Sequence, residues 1–377
     1  MHHPTRLVAC VASLAVVLAA CGDAGSEPEA QPTTEGTAGT PTATGQDGPP
    51  VDPPTEARVQ LVTHDSFNIG EDVLAAFTEQ TGYEVQVLAS GDAGTMVNQA
   101  ILTAGNPQGD VLFGVDNTLL SRALEAEVFI PHEPADADAL DQSLVLDDQW
   151  RVTPIDRGDV CLNHDVSYFE EAAVDVPTEL ADLADPAYES LLVVENPATS
   201  SPGLAFLLAT VATFGEDGWE DYWRDLVAND VEVSAGWEDA YYGVFSGSAG
   251  SEGDRPLVVS YASSPPAEVI FAEEELAQAP TGVIPASCFR QVEFAGVLAG
   301  TDNEPGARAL VDFMVSETFQ ADIPLQMFVF PARTGVELPP EFVEHAEVPD
   351  DPIDLDPAFI ADNREDLVAR WTEVVLG

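Results

Sequence analysis

The residues with most chemistry to offer lie in short polar sets rather than in catalytic motifs. His64-Asp65-Ser66-Phe67, Gly91-Asp92-Ala93-Gly94-Thr95 and Asp116-Asn117 each follow a run that reads as a strand. A fourth set, Ala198-Thr199-Ser200-Ser201-Pro202-Gly203, opens a helix, with Ser201 expected as N-cap and Pro202 at the first helical position. Free amides and hydroxyls at that helix head make a ready anion or hydroxyl site, and the polar sets just after strands fall where a ligand cleft is expected. The competing role is capping, in which Asn117 and the Ser and Thr residues satisfy only backbone amides; for Asn117 both stay open. Aromatic rings supply the other half: Trp237 after Gly236, Tyr241 one turn on, Tyr261 before Ser263-Ser264-Pro265, and Phe328 and Phe330 beside Pro331. Any one of these rings more often packs a core than touches a ligand. Several at element ends suggest a box for a flat ring, and the acids favour a cationic one.

Catalytic signatures are thin. All 12 basic residues are Arg, against 67 acids, for a net charge of −55. Without lysine there is no P-loop phosphate ligand, no Schiff base and no Ser-x-x-Lys pair. Acid excess excludes a nucleic-acid partner, since phosphate binding draws on clustered Lys and Arg. No His-Glu-x-x-His pair occurs, and Ala249-Gly250-Ser251-Glu252-Gly253 lacks the strand and helix that a nucleophile elbow needs. No enzyme activity, cofactor or metal site is expected. The rivals are a ferric-ion binder, invited by Tyr241-Tyr242, a secreted hydrolase using carboxylates, and an adhesive surface protein.

The elements that must position these sets read as follows. Strands at 59–63, 84–88 and 110–115 alternate with helices at 71–81, 94–104 and 117–126, the pattern of an open parallel α/β sheet. An extended crossing segment is expected at 152–163. A second α/β region follows, with strands at 191–195, 231–234 and 257–261 and helices at 203–214, 219–228 and 238–245. A strand at 290–298 and a helix at 304–316 return the chain. This predicts a first lobe from 58–155, a second from 156–289, and a return to the first over 290–377 with C-terminal helices. A ligand cleft lies between the lobes.

Residues 1–20 read as an export signal, with Arg6 before a 14-residue apolar run too short to span a bilayer. Leu18-Ala19-Ala20-Cys21-Gly22 resembles a lipobox, so Cys21 is expected to carry lipid; the alternative is an ordinary cleaved signal. Residues 21–57, rich in Gly, Pro, Thr and acids, read as a flexible tether. Cys161 and Cys288 then remain as an even pair in an oxidising compartment, either bridged or as two buried thiols.

Across these segments the chain resembles the thiamine-binding proteins of bacterial ABC importers, a branch of the two-lobed periplasmic-binding-protein fold. Thr63-His64-Asp65-Ser66-Phe67, Gly114-Val115-Asp116-Asn117-Thr118, Thr199-Ser200-Ser201-Pro202-Gly203, Gly236-Trp237-Glu238-Asp239-Ala240-Tyr241 and Ser260-Tyr261-Ala262-Ser263-Ser264-Pro265 carry the likeness, in order, over about residues 58–345. The resemblance implies that Asp92 binds polar ring substituents and that Trp237 and Tyr261 sandwich the ring system. The Thr199-Ser200-Ser201 turn would meet the hydroxyethyl or phosphate end. It further implies a membrane permease as partner, a monomeric protein, and thiamine or a thiamine phosphate as ligand. Departures are His64 where tyrosine is common, Phe328 where tryptophan is, and Ala198 where relatives carry arginine. These favour free thiamine over its diphosphate.

Overall fold

The computed structural model describes residues 57–272 and 276–377. The expected signal, Cys21 and all of the expected tether but Ala57 lie outside the described residues. β1 (Arg58–Thr63), α1 (Glu71–Thr81), β2 (Glu84–Ala89), α2 (Ala93–Leu102), β3 (Val111–Asp116) and α3 (Leu120–Glu125) follow the expected alternation. α1 buries Val73 and Phe77 and stops at Gly82, whose φ of 77° is left-handed and easy only for glycine. The third helix starts later than position 117. The Asp116 carboxylate accepts from the amides of Thr118 and Leu119, at 2.9 and 3.0 Å, which holds a turn there instead.

β4 (Phe129–Ile130) leads to β5 (Thr153–Asp165), followed by α4 (Val166–Glu171), β6 (Leu192–Glu195), α5 (Ser201–Phe214), α6 (Trp219–Ala228) and β7 (Glu232–Ser234). α5 is apolar on every side, and each residue from Ser201 to Val211 is buried, so it forms the centre of its half. The helix expected at 238–245 is a π-helical stretch, Asp239–Val244. β8 (Leu257–Tyr261) and α7 (Pro265–Ile270) follow. The strand expected at 290–298 is only the second half of β9 (Thr281–Leu298). α8 (Glu304–Met314), α9 (Glu317–Gln326), β10 (Phe330–Pro331), α10 (Pro340–His345) and α11 (Pro357–Val375) complete the chain.

One sheet runs β2-β1-β3-β9-β5-β8-β6-β7, with β4 on β9 and β10 on β5. β1 pairs in parallel with β2 and β3, and β6 pairs in parallel with β7 and β8. Between these two parallel groups, β5 and β9 run antiparallel from Thr153 opposite Ala295 to Asp165 opposite Thr281. β3 joins β9 near Glu293 to Val297, whereas β8 joins β5 at Val160 to His164. The fold is therefore two α/β lobes linked by a two-stranded ribbon, and residues 156 and 289 fall inside strands that both lobes share. Cys161 and Cys288, each fully buried, are joined by a disulfide of 2.02 Å that ties β5 to β9. α11 is not confined to the first lobe. It packs on α6, with Trp371 edge-on to Trp223 at 5.4 Å, and also on α3. Among the described residues no helix is long and apolar enough to cross a membrane.

Candidate functional site

A cavity of about 300 Å³ opens between the lobes. The first lobe contributes the turn after β1, the head of α2 and Glu293 of β9; the second contributes the head of α5, the Trp237–Tyr242 stretch, Tyr261 and α7. Of the expected ligand residues, His64, Asp65, Ser66, Asp92, Ser201, Trp237, Tyr241, Tyr261 and Phe328 line it. Thr95, Asp116, Asn117, Thr199 and Ser200 do not.

The five outside the cavity hold the frame. Asn117 knits the end of β3 to β9: its Nδ2 donates to the Arg290 carbonyl at 3.1 Å and its Oδ1 accepts from the Val292 amide at 3.0 Å. Thr199 donates its hydroxyl to the Ala235 carbonyl at 2.6 Å, and its own carbonyl accepts from the Thr95 amide at 3.2 Å. The helix cap is also shifted: Ser200 is the N-cap of α5, Ser201 the first helical residue and Pro202 the second. Ser201 is drawn in because its hydroxyl donates to Asp116, a fully buried carboxylate that also accepts from Gln291 Nε2 at 2.8 Å. Burial raises the Asp116 pKa, and the bonds from Ser201 and Gln291 oppose that rise.

Asp92, the N-cap of α2, accepts from Ala93 N at 2.6 Å in its own lobe. Across the cleft it accepts from Trp237 N at 3.0 Å and Ser201 N at 3.4 Å. The carboxylate therefore spans the cleft. It fits because position 236 is glycine: a Cβ there would stand 2.9 Å from Asp92 Oδ2. Burial holds the Asp92 pKa above its ordinary range, against the pull of the Trp237 amide and His64. His64 sits over Gly114, where any Cβ would strike its ring, and its Nε2 lies 3.4 Å from Glu293 Oε1. Burial works to lower the imidazole pKa, but Glu293, with Asp92 and Asp65, outweighs it and leaves it raised.

The aromatic wall differs from a simple sandwich. Trp237 stacks on Tyr241 at 5.0 Å and 19°, and its indole N–H donates to Ser260 at 2.9 Å. Tyr261 meets Trp237 at 6.3 Å and 63°, so no flat ring fits between those two in parallel. Phe328 closes the far side, stacked at 6.4 Å on Phe342 and edge-on to Phe271. Its φ of 55° is strained for so bulky a side chain, at a cost of roughly 1–3 kcal/mol, the kind of outlier that binding sites retain.

Glu293, Glu238 and Phe271 also line the cavity and were not singled out for it by sequence; Tyr242, read there only as an iron ligand, lines it too. Glu293 left a signal, the one acid in the otherwise apolar stretch Val292 to Leu298; Phe271, 62% exposed at the rim, left none. Four carboxylates thus face the cavity, from Asp65, Asp92, Glu238 and Glu293, and among the described residues no arginine does. That arrangement can bind and enclose a cation bearing a flat ring.

Comparisons agree with this geometry. The chain is 28% identical over 322 residues to the thiamine-binding periplasmic protein of Escherichia coli K12, covering 84% of this chain and 92% of that one. It is 24% identical over 329 residues to iron uptake protein A1 of Synechocystis sp. PCC 6803, covering 82% and 86%. A solved periplasmic thiamin binding protein superposes with a TM-score of 0.73 at 27% identity, over 84% of this chain and 96% of that one. Residues 106–363 match the model of the bacterial extracellular solute-binding proteins, and the chain belongs to that family.

Proposed function

We propose that this protein captures thiamine outside the cytoplasm and delivers it to an ABC permease, held to the membrane by lipid on Cys21 and working as a monomer. The observation that carries the reading is the acidic, aromatic cavity closed by both lobes, together with thiamine-binding relatives that align over nearly their whole length. Thiamine joins a flat aminopyrimidine to a permanently cationic thiazolium, which suits four carboxylates and a ring-lined wall. A ligand that touches both lobes favours the closed form over the open one, and the permease reads the closed form. No chemical step is required.

The free vitamin suits the site better than its phosphates. The head of α5 is where a phosphate would dock, but the protein's own acids occupy it: Asp92 accepts from the Ser201 amide and Asp116 from the Ser201 hydroxyl. The iron reading is disfavoured at Tyr241. Its hydroxyl donates to Glu268 at 2.8 Å, and burial, then Glu268, push its pKa well above the ordinary phenol value. Iron(III) needs a phenolate. Calorimetric titration with thiamine, its monophosphate and its diphosphate tests the proposal. Affinity should fall in that order, and absence of heat with all three rejects the reading.

A further inference from the structure

One acid behind the cavity wall, Asp156, has no part in the reading so far. Glu293 lines the cavity at 8% exposure, and Asp156, fully buried, faces it across the β5–β9 ladder. Neither Asp156 oxygen has a donor within hydrogen-bond reach, and the polar group set against it is the Glu293 carboxylate. A fully buried carboxyl set against a second carboxylate, with no donor of its own, keeps its proton. Burial, then Glu293, accordingly hold the Asp156 carboxyl well above its ordinary range.

The groups facing the pair come from each element around it. His64 after β1 lies 3.4 Å from Glu293, and Asp116 at the end of β3 is its register partner. Tyr261 of β8 feels Glu293 and Asp92, while Arg364 of α11 acts on Asp116. β10 presents Pro331 opposite Asp156, and α9 presents the neutral Gln320 to the Ile155 carbonyl. The nearest guanidiniums, Arg157 and Arg290, turn instead to Asp159, at 3.7 and 2.5 Å.

We propose that Asp156, set against Glu293, is the reserve counter-charge of the cavity and releases its proton to solvent when a permanently cationic ligand enters. Asp156 passes from neutral to one negative charge, the ligand brings one positive charge, and the proton leaves to buffer, so charge balances. The ligand's thiazolium takes the place of the proton. This rests on the thiamine reading and gives it a sign. The free form holds the proton and the bound form does not, so affinity rises with pH, about tenfold per unit while both conditions hold.

Calorimetry of thiamine binding to the full chain, in two buffers of different ionisation heat between about pH 5.5 and 8, decides it. About one proton should leave per thiamine bound, in the natural protein and in His64→Asn, and none in Asp156→Asn. Thiamine binding with no buffer-dependent heat in the natural protein overturns this inference and leaves the thiamine reading standing. Release that survives in Asp156→Asn but vanishes in His64→Asn assigns the proton to the imidazole and also overturns it. Should Asp156→Asn fail to fold, release kept in His64→Asn supports the pair and release lost there rejects it.

Discussion

Asp92 accepts amides from both lobes and lines the cavity, so one side chain both joins the lobes and faces the space between them. Replacing it with alanine strips one acceptor from three donors, two of them across the cleft. Charge-assisted bonds of this kind contribute about 1.5–3 kcal/mol each, so Asp92→Ala should weaken thiamine binding by at least ~30-fold in a calorimetric titration. Binding unchanged within twofold would remove Asp92 from both roles. At this scale the sequence was informative where position after a strand decides the matter: His64, Asp65, Ser66 and Asp92 were found that way and line the cavity. It was less so for Asp116 and Asn117, whose side chains turn inward to Ser201, Gln291 and β9. Those partners lie more than 80 residues along the chain, where no local pattern reports them.

The head of α2 meets the head of α5 where position 94 is glycine. A Cβ at Gly94 would stand 2.6 Å from the Thr199 carbonyl oxygen across the cleft. Gly94→Val should therefore leave each lobe folded and obstruct their approach. Thiamine affinity should drop at least about tenfold, ~1.4 kcal/mol, and scattering should show no compaction on adding ligand. Normal compaction would mean that the two helix heads do not limit closure. Most elements were legible because each buries one regular face: α1 with Val73 and Phe77, β3 with an unbroken apolar run. The first half of β9 was not. Gly282 and Pro285 interrupt it, and it becomes strand only through its ladder with β5, a tertiary cause that strand propensity cannot report. The π-helical Asp239–Val244 was read as an ordinary helix because its Tyr241-Tyr242-Gly243 run carries no mark of the wider turn.

For the whole molecule, the ribbon and its disulfide set how the lobes are held. Cys161 and Cys288 close a separation of 127 residues, worth about 4–5 kcal/mol in the chain-entropy account. The double variant Cys161→Ser, Cys288→Ser should lower the unfolding free energy by roughly that amount in a denaturant titration. A change below about 1 kcal/mol would show that the bridge does not restrict the unfolded chain as that account requires. The two-lobed plan was visible from length and alternation, whereas the lobe borders were not, since β5 and β9 serve both sides of them. The seat of the last helix was equally hidden. α11 is held to α3 by Glu365 near Arg122, at 3.6 Å, and to α6 by Arg370 on Glu220, at 2.6 Å. Parting the lobes must unseat one end of that helix, so it behaves as a strap of fixed length. How wide the mouth gapes, and how readily cargo escapes, then depends on a helix that does not line the cavity.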